Sequence, residues 1–366
     1  MIPQSYYRCW VEVDLDALRQ NVTTLRAKIG PSVKLLAVVK ADAYGHGLPQ
    51  VARVLMQCGV YGFAVANLTE ALAVRQLGGP GWPILLFGSA LSFELDKLVE
   101  QNIIATVSSL DEARQLNAVA AALGRVHPIH IEIDTAMGRV GLWHETATGV
   151  IRDIAALPHL RIEGLYTHFP SADDNPAETR RELELFLQVA DRRYLLHAAN
   201  SAALLNIPES HLQLVRPGLA LYGIAPGLTP ILAFKSRVAF VKDVAPGRTI
   251  SYGQTFTASR PMKIATVAAG YGDGYSRHLS NRAQVLIAGR RCPVLGRVTM
   301  DQIMVDVSGL DGVHSGDEVV LIGRQGSEQI TAGEVAAWAD TISWEILTGI
   351  NKTVRVPRVY TGLHAA

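Results

Sequence analysis

The sequence predicts an α/β protein, with an amino-terminal (β/α)8 barrel of the TIM type followed by a carboxyl-terminal all-β domain. Between residues 30 and 225, short apolar segments alternate with amphipathic helical segments, and the alternation supplies eight strands. After Pro230 the pattern changes to closely spaced strands that are separated by Pro-Gly and Gly-Arg turns. The predicted domains are therefore residues 1–229 and residues 230–366.

The eight predicted barrel strands are short apolar runs, and each pair is separated by enough chain for a crossover helix. The first run is apolar at successive positions, as a strand buried on both faces requires. The intervening segments have helical spacing, with acidic residues such as Glu70 and Asp111 in their first turns. Eight such units favour a closed barrel over an open doubly wound sheet. The strands are predicted at residues 34–40, 61–67, 83–88, 103–108, 129–134, 161–168, 194–200 and 214–223.

The second domain is predicted from alternating or apolar runs that are typical of half-buried strands. Residues 8–13 (RCWVEV) have the same character but precede the first barrel helix, predicted at residues 15–28. We therefore expect this early strand to pair with the carboxyl-terminal domain. The later runs are SRVAFVKDV, MKIATVAAG, QVLIAG, MVDVSGL and DEVVLIG.

Composition points to a small-molecule partner. Lysine and arginine total 34 against 33 acidic residues, which argues against a nucleic-acid or membrane-surface footprint. Cys9, Cys58 and Cys292 are odd in number and far apart, so neither a disulfide framework nor a metal site is expected, and a reducing cytoplasm fits best. The amino terminus lacks a signal-peptide pattern, and no apolar run reaches membrane-spanning length.

Reactive side chains fall at the carboxyl ends of the predicted strands, the rim where barrels carry their active sites. Lys40 ends the first strand and opens a turn rich in glycine, and a partly desolvated lysine forms Schiff bases with carbonyl compounds such as pyridoxal phosphate. A lysine extending from a strand end into solvent is the plain alternative. Six more such residues share this rim and favour a site there, although each alone has a structural explanation; Arg216 lies in the last strand. The six are Glu132, Asp134, His168, His197, Asn200 and Ser201.

Eight motifs extend over nearly the whole chain in a consistent order. They are VVKADAYGHG, DTAMGRVG, EGLYTHF, ANSAALL, VRPGLALYG, SYGQTF, AAGYGDGY and GRVTMDQIMVDVS. In order and spacing, this set resembles the bacterial alanine racemase family. The resemblance implies a barrel joined to a β domain, pyridoxal phosphate as the cofactor, and a homodimer whose active sites combine residues of both chains. The implied reaction interconverts L- and D-alanine, and the D-isomer serves as a peptidoglycan precursor.

The resemblance also assigns roles to residues. It makes Lys40 the Schiff-base lysine and the base for the D-isomer, and it makes Tyr252 of the partner chain the base for the L-isomer. His168 is expected beside the cofactor, either as a proton relay or as a packed aromatic ring. Arg216 is expected at the pyridine nitrogen, oriented by His197. An arginine cannot accept a proton, so it disfavours pyridinium formation and shortens the life of a carbanion.

The remaining assignments concern the phosphate and the substrate. By resemblance, the phosphate is held by Tyr44, Ser201 and the backbone N–H groups of Gly218 and Leu219, next to Asn200. Arg139 is expected near the cofactor oxygen and the substrate carboxylate. The same carboxylate is expected to accept from the Met300 backbone N–H, with Asp301 orienting the site. Residues at the entrance are expected to be Tyr271, Arg277 and Arg297.

Two positions depart from the family pattern. Glu132 stands where many relatives have a carbamylated lysine, and its carboxylate is expected to hold Arg139 without carbon dioxide. Val354 stands where some relatives have a tyrosine that narrows the pocket, so the substrate range is expected to widen towards serine.

Alternative functions are a serine or broad-specificity racemase, a decarboxylase of the same architecture, and a non-catalytic carrier of pyridoxal phosphate. Arg216 argues against the decarboxylase, because those relatives place an acid at the pyridine nitrogen. Tyr252 and the β domain argue against the carrier.

Overall fold

A computed structural model describes residues 4–362 and divides them between two compact units. The barrel unit consists of residues 18–43 and 47–228. The sheet unit consists of residues up to 17, residues 44–46 and the chain from residue 229 onward.

The strands are numbered in chain order. They are β1 Cys9–Asp14, β2 Lys34–Val38, β3 Gly62–Val65, β4 Ile84–Ser89, β5 Ile104–Val107, β6 His127–Asp134, β7 Leu142–Trp143, β8 Leu160–Tyr166, β9 Leu195–His197, β10 Leu214–Val215, β11 Leu232–Val244, β12 Thr249–Ile250, β13 Phe256–Thr257, β14 Met262–Val267, β15 Gln284–Ile287, β16 Arg290–Leu295, β17 Ile303–Asp306, β18 Glu318–Gln325, β19 Glu328–Ile330 and β20 Arg358–Thr361.

The helices are numbered in the same way, and short 3-10 turns are left unnumbered. They are α1 Leu15–Ile29, α2 Lys40–Tyr44, α3 Leu48–Gln57, α4 Leu68–Gly78, α5 Leu95–Glu100, α6 Leu110–Ala122, α7 His144–Ala155, α8 Pro176–Val189, α9 Ser201–Asn206, α10 Ala332–Ala339 and α11 Ser343–Gly349.

The barrel unit is a closed parallel barrel with crossover helices. Its strands run in the order β5-β4-β3-β2-β10-β9-β8-β6, and the pairing of β6 with β5 closes the circle. Strands β3 and β5 are buried at every residue, as parallel strands covered on both faces should be. The predicted TIM-type fold is confirmed, and each predicted strand has a counterpart.

Six of the eight strands are shorter than predicted, and at β2 and β10 the difference places rim residues outside the strand. Strand β2 ends at Val38, so Lys40 begins the turn after it. Strand β10 ends at Val215, and Arg216 and Gly218 follow it in a loop. Pro217 lacks the N–H that a strand ladder needs, which accounts for the early end of β10.

The sheet unit is built on the order β19-β18-β15-β16-β17-β14-β11-β1-β20. Strand β11 pairs with β18 through its first half and with β14 through its second half, which closes six of these strands into a ring. Strand β1 lies antiparallel to β11, with Cys9 opposite Ser236, and parallel to β20, with Val11 opposite Arg358. The second domain was predicted to be all-β; its sheet is confirmed, but the unit also contains the helices α10 and α11.

No helix within residues 4–362 combines the length and the apolar character needed to cross a lipid bilayer.

Candidate active site

The backbone after Lys40 forms one turn of left-handed helix. Ala41, Asp42 and Ala43 have φ values of 53°, 59° and 52°, although none of them is glycine. Each residue with a β-carbon costs about 1–2 kcal/mol in this conformation, so surrounding contacts must stabilise the turn. Strain of this kind typically marks a functional position.

Three hydrogen bonds hold the turn in place. The Ala43 N–H donates to the Val39 carbonyl at 2.9 Å. The Asp42 carboxylate accepts from the Leu48 N–H at 2.7 Å. The Glu70 carboxylate, from the next strand–helix loop, accepts from the Ala41 N–H at 2.7 Å. Lys40 is therefore attached to a rigid backbone rather than to a mobile loop.

Lys40 lies in a cationic environment. Burial lowers the pKa of its amine, the positive charge of Arg139 lowers it further, and the negative charge of Glu70 opposes both effects. Arg139 belongs to an exposed loop after β6. The Asp134 carboxylate shapes this loop, because its Oδ2 accepts from the Gly138 N–H at 2.9 Å. A lowered pKa makes the lysine amine a better nucleophile near neutral pH.

Arg216 is 3% exposed and fixed at both ends of its guanidinium group. Nη2 donates to the carbonyls of Thr167 and Ala198 at 2.8 and 3.0 Å, and Nη1 lies 3.0 Å from His197 Nδ1. Burial lowers its pKa to about 10, so the group still carries its charge at neutral pH.

The charge of Arg216 fixes the protons of two buried histidines. Because a guanidinium only donates, His197 Nδ1 must accept and its proton must lie on Nε2. That Nε2 is 2.9 Å from Nδ1 of His130, which then accepts in turn. Burial and the Arg216 charge lower the pKa of His130 to about 3 and that of His197 well below its usual value. Both rings are therefore neutral, and the hydrogen bonds run in one direction from Arg216 to His130.

Tyr166 connects this chain to Glu132. Its ring stacks on His197, with centroids 4.8 Å apart and planes 9° apart, and the Arg216 guanidinium lies 5.2 Å from its centroid. Its hydroxyl donates to Glu132 Oε2 at 2.8 Å and lies 3.0 Å from Thr106 Oγ1, which donates to it. Burial and the Glu132 charge raise the pKa of Tyr166 well above its usual value, so the phenol keeps its proton.

The hydrogen-bond partner of Glu132 differs from the expected one. Glu132 was expected to hold Arg139, but the carboxylate accepts its hydrogen bond from Tyr166. Burial raises the pKa of Glu132, whereas the Tyr166 hydrogen bond and then the charges of Arg139 and Arg216 lower it. Arg139 therefore acts on Glu132 through its charge.

His168 lies among cations. Burial and the charges of Arg216, Arg139 and Lys40, in that order, lower its pKa to about 3. The ring is therefore neutral at physiological pH. Three charges act on His168, and that of Arg139 also acts on Lys40, so the barrel fold brings these four predicted site residues into one electrostatic cluster.

Ser201 organises the loop after β10, and its neighbour Asn200 caps a helix. Ser201 Oγ accepts from the N–H groups of Gly218 and Ala220 at 2.9 and 3.1 Å. Asn200 Oδ1 accepts from the Ala203 N–H at 3.0 Å and caps α9. Ser201 and Gly218, both predicted phosphate ligands, are hydrogen-bonded to each other. A hydroxyl and backbone N–H groups of this kind are suitable donors for an anion.

The sheet unit carries the other predicted site residues. Tyr252 is 70% exposed at the start of a 3-10 turn, Met300 is 53% exposed and Tyr271 is 43% exposed. Arg355, which sequence reasoning missed, donates to Asp301 and, at 2.6 Å, to the buried Asp273. Asp301 is thus held by an arginine within the same unit.

Tyr44, also within the sheet unit, is 6% exposed. Burial raises the pKa of its phenol to about 12, so the hydroxyl is a hydrogen-bond donor at neutral pH.

Tyr166 and His130 were missed although the sequence held a signal for both. Tyr166 lies two residues before His168, and His130 lies two residues before Glu132. Residues at this spacing share one face of a strand. Glu70 had no such signal, because only the pairing of β2 with β3 brings its loop to Lys40.

Comparisons with known proteins give one result over the full length. Residues 13–226 match the family model described as "Alanine racemase, N-terminal domain", and residues 231–360 match "Alanine racemase, C-terminal domain". An alanine racemase of Halothermothrix orenii is 42% identical over 367 residues, with 96% of each chain covered. An alanine racemase of Symbiobacterium thermophilum is 44% identical over 370 residues, with 96% of this chain and 97% of the relative covered.

Solved structures agree with these relatives. The alanine racemase of Bacillus anthracis "with bound L-Ala-P" is 36% identical with a TM-score of 0.89, covering 98% of this chain and 96% of that one. The alanine racemase of Bartonella henselae "with covalently bound pyridoxal phosphate" is 28% identical with a TM-score of 0.89, and the match covers 97% of this chain and 99% of that one. Matches of this extent in both sequence and fold leave one conclusion: the chain belongs to the alanine racemase family.

Proposed function

We propose that this protein interconverts L- and D-alanine with pyridoxal phosphate bound through Lys40. The observation that carries the proposal is the position of Lys40, a lysine of lowered pKa on a rigid turn at the barrel rim, in a chain of the alanine racemase family. The bound cofactor would supply an electrophilic carbon for the lysine amine and a conjugated ring that withdraws electrons from the substrate.

The residues of the barrel unit fit this cofactor. Arg216 presents a permanent charge that cannot take up a proton, which suits the proposed position at the pyridine nitrogen. Its hydrogen bonds to His197, Thr167 and Ala198 leave it little freedom to move. Donors proposed for the phosphate are the Ser201 hydroxyl, next to Asn200, and the N–H groups of Gly218 and Leu219. By family resemblance, the Tyr44 hydroxyl, which belongs to the sheet unit, is proposed as a further donor. His168 and Arg139 would complete the cofactor site.

Racemisation requires two acid–base groups, because a proton must leave one face of the substrate α-carbon and another must reach the opposite face. We propose that Lys40 exchanges the proton of the D-isomer and that Tyr252 exchanges the proton of the L-isomer. Tyr252 is 70% exposed, as a residue that completes the site of a partner subunit would be in an isolated chain. The functional unit is then a homodimer with shared active sites.

Substrate contacts are proposed for the carboxylate of the amino acid. Arg139 supplies a positive charge that is felt by Lys40 and His168. The Met300 N–H supplies a donor, with Asp301 fixed by Arg355 and Tyr271 near the entrance. The D-alanine formed would serve as a peptidoglycan precursor in the cytoplasm, where three free cysteines fit a reducing environment.

The test compares wild-type protein with Lys40→Ala and Tyr252→Phe, using both enantiomers of alanine and serine. Borohydride reduction should fix the cofactor on the Lys40 peptide of the wild type, and Lys40→Ala should lose both this linkage and turnover. Tyr252→Phe should retain the cofactor and lose about 10²–10⁴-fold in rate from L-alanine. Exchange of the α-hydrogen with deuterium from D-alanine should survive better than exchange from L-alanine.

Lys34→Ala and Tyr6→Phe are the matched controls. Lys34 lies at the other end of β2, and Tyr6 is 73% exposed in the sheet unit. Both should behave as wild type. Normal rates in Lys40→Ala would overturn the proposal, and equal exchange losses for the two enantiomers in Tyr252→Phe would overturn the two-base part.

A further inference from the structure

Two glutamates occupy the same position in the first turns of two helices of the barrel unit. Glu70 and Glu112 are each the third residue of a helix, and the N–H of each donates to the cap residue of that helix, Asn67 or Ser109. Each carboxylate also accepts from the N–H of the residue before the cap, at 2.9 Å from Ala66 and at 2.8 Å from Ser108. Local capping therefore accounts for both residues equally well.

Only one of the two carboxylates reaches a second loop. Glu70 Oε1 accepts from the Ala41 N–H at 2.7 Å, while Oε2 holds the Ala66 N–H of its own loop. Within residues 4–362, the structure shows no corresponding bond from Glu112 to another strand–helix loop. The second contact is therefore additional to capping. It fixes the peptide that directly follows Lys40.

The contact stabilises a conformation that the sequence alone disfavours. Ala41 has a φ of 53°, and the next two residues are also left-handed without being glycine. Without the Glu70 carboxylate, the Ala41 N–H would lose a charge-assisted hydrogen bond, and the turn would lose its connection to the first turn of α4. The direction in which the Lys40 side chain leaves the backbone depends on this turn.

We propose that Glu70 is a positioning residue for Lys40: its carboxylate fixes the start of the left-handed turn and thereby holds the lysine amine in the orientation that bonds the cofactor. The proposal rests on the proposed function, in which Lys40 carries pyridoxal phosphate. Glu70 also acts through its charge, which raises the pKa of Lys40 against burial and against the charge of Arg139. His168 also faces this group, and its own pKa of about 3 leaves it neutral.

The experiment follows the Lys40 linkage rather than turnover. Holoenzyme is stripped with hydroxylamine, pyridoxal phosphate is added back, and the growth of visible absorbance is followed by stopped flow from pH 6 to pH 10. Glu70→Gln removes the charge and one of two acceptor oxygens, Glu70→Asp keeps the charge but shortens the reach, and Glu112→Gln is the matched control. Thermal unfolding of every variant reports the structural effect of losing the cap.

In Glu70→Gln, we expect the limiting rate at high pH to fall by about tenfold, because a charge-assisted hydrogen bond is lost. We also expect the midpoint of the pH profile to move to lower pH, since removal of a negative charge favours the neutral amine. Glu70→Asp should show the slower rate with a midpoint near that of wild type. Glu112→Gln should lose a similar amount of thermal stability and change neither quantity.

Identical rates and midpoints in Glu70→Gln and Glu112→Gln would overturn the positioning role and leave the cofactor assignment intact. Absence of a reducible linkage to Lys40 in the wild type would instead overturn the proposed function. If Glu70→Gln does not fold, Glu70→Asp still tests the positioning role. A wild-type rate in Glu70→Asp would show that the carboxylate need not reach the Ala41 N–H.

Discussion

Glu132 is a carboxyl group that is 2% exposed, and among residues 4–362 the side chain that donates a hydrogen bond to it is that of Tyr166. Burial alone would favour its neutral form, whereas the Tyr166 hydroxyl and two arginine charges favour the carboxylate. Tyr166 stacks on His197, the ring that accepts from Arg216. Loss of the Glu132 charge would therefore also affect how Arg216 is held. The Glu132 charge on β6 thus supports Tyr166 on β8, His197 on β9 and Arg216 in the loop after β10.

Glu132→Gln tests this role of the charge, because glutamine can still accept from Tyr166 but cannot balance the arginines. We expect kcat to fall by about tenfold or more, because the hydrogen bond from Tyr166 would lose its charged acceptor and the arginines would lose a compensating charge. Activity should not respond to bicarbonate at fixed pH, since no lysine is available there for carbamylation. Glu163→Gln, on the neighbouring strand β8 and paired with Arg161, is the control and should be silent. Unchanged kinetics and cofactor affinity in Glu132→Gln would contradict this role.

Sequence reasoning at the residue scale succeeded where chemistry and chain position coincide. Lys40, His168 and Arg216 all follow or end apolar runs, so the barrel rim predicts their proximity. The environment of Glu132 was predicted less well, because the register between β6 and β8 decides that Tyr166 is its partner. Glu70 was not predicted at all, since its contact depends on the relative positions of two loops.

At the scale of elements, the pairing of β6 with β8 places His130 directly opposite Gly164. A β-carbon on Gly164 would lie 2.7 Å from Cε1 of the His130 ring. The glycine therefore provides the space in which this ring can reach His197. The pairing of β6 with β8 therefore positions the buried histidine rings.

Gly164→Ala should displace His130 and disturb the hydrogen bonds that end at Arg216. We expect a loss of about 1–3 kcal/mol in the free energy of unfolding, as for overpacking of a core, together with lower kcat. Gly149→Ala is the control, because that helical glycine has open space around its missing side chain and alanine should stabilise α7 by up to about 1 kcal/mol. Urea unfolding and steady-state rates measure both effects. A Gly164→Ala protein as stable and as active as wild type would show that His130 can move without consequence.

The eight barrel strands were predictable because apolar runs alternate with helical segments at regular intervals. The left-handed turn α2 was not, because the residues Ala41 to Tyr44 contain no glycine to signal positive φ. Its conformation is imposed by contacts from outside the segment, which local sequence does not encode. The parallel pairing of β1 with β20 is similar, since it joins the two ends of the chain.

At the scale of the whole molecule, the proposed homodimer makes a prediction about mixtures. Lys40→Ala chains and Tyr252→Phe chains are each expected to be poorly active. In a hybrid dimer, however, one site contains both intact residues. Random subunit exchange should restore about a quarter of wild-type activity, because half of the dimers are hybrids with one good site each. No recovery after demonstrated exchange would indicate a site built within one chain.

Buried neutral histidines predict how stability depends on pH. Burial lowers the pKa of His127 to about 4 and contributes most to lowering that of His130 to about 3, whereas an unfolded histidine titrates near 6.5. Below pH 6.5 these histidines therefore bind protons in the unfolded chain but stay neutral in the folded chain. The stability that these two histidines contribute is complete above that pH and is lost as the pH falls towards their folded pKa values, with a slope of at most about 1.4 kcal/mol per unit for each group.

Urea unfolding at several pH values measures this slope. Glu182 contributes a slope of the opposite sign, because burial raises its pKa to about 7. This contribution acts between that pH and the pKa of an unfolded carboxyl group, and it is absent at lower pH. His127→Gln, which removes one of the histidines, should give a shallower slope below pH 6. A slope equal to that of wild type would contradict the assignment.

The pairing of β1 between β11 and β20 has a consequence for how a growing chain matures on the ribosome. Strand β1 is synthesised early, yet its hydrogen-bond partners, residues 232–236 and 358–361, emerge only after the entire barrel and near the end of translation. The barrel strands have all their partners within residues 34–215 and can assemble during synthesis. Until both partners have been synthesised, β1 has backbone N–H and C=O groups without their ladder partners. A chain stalled at residue 300 would therefore present a finished barrel together with a strand whose edge towards β20 still lacks its partner, a natural target for chaperones that bind β-segments.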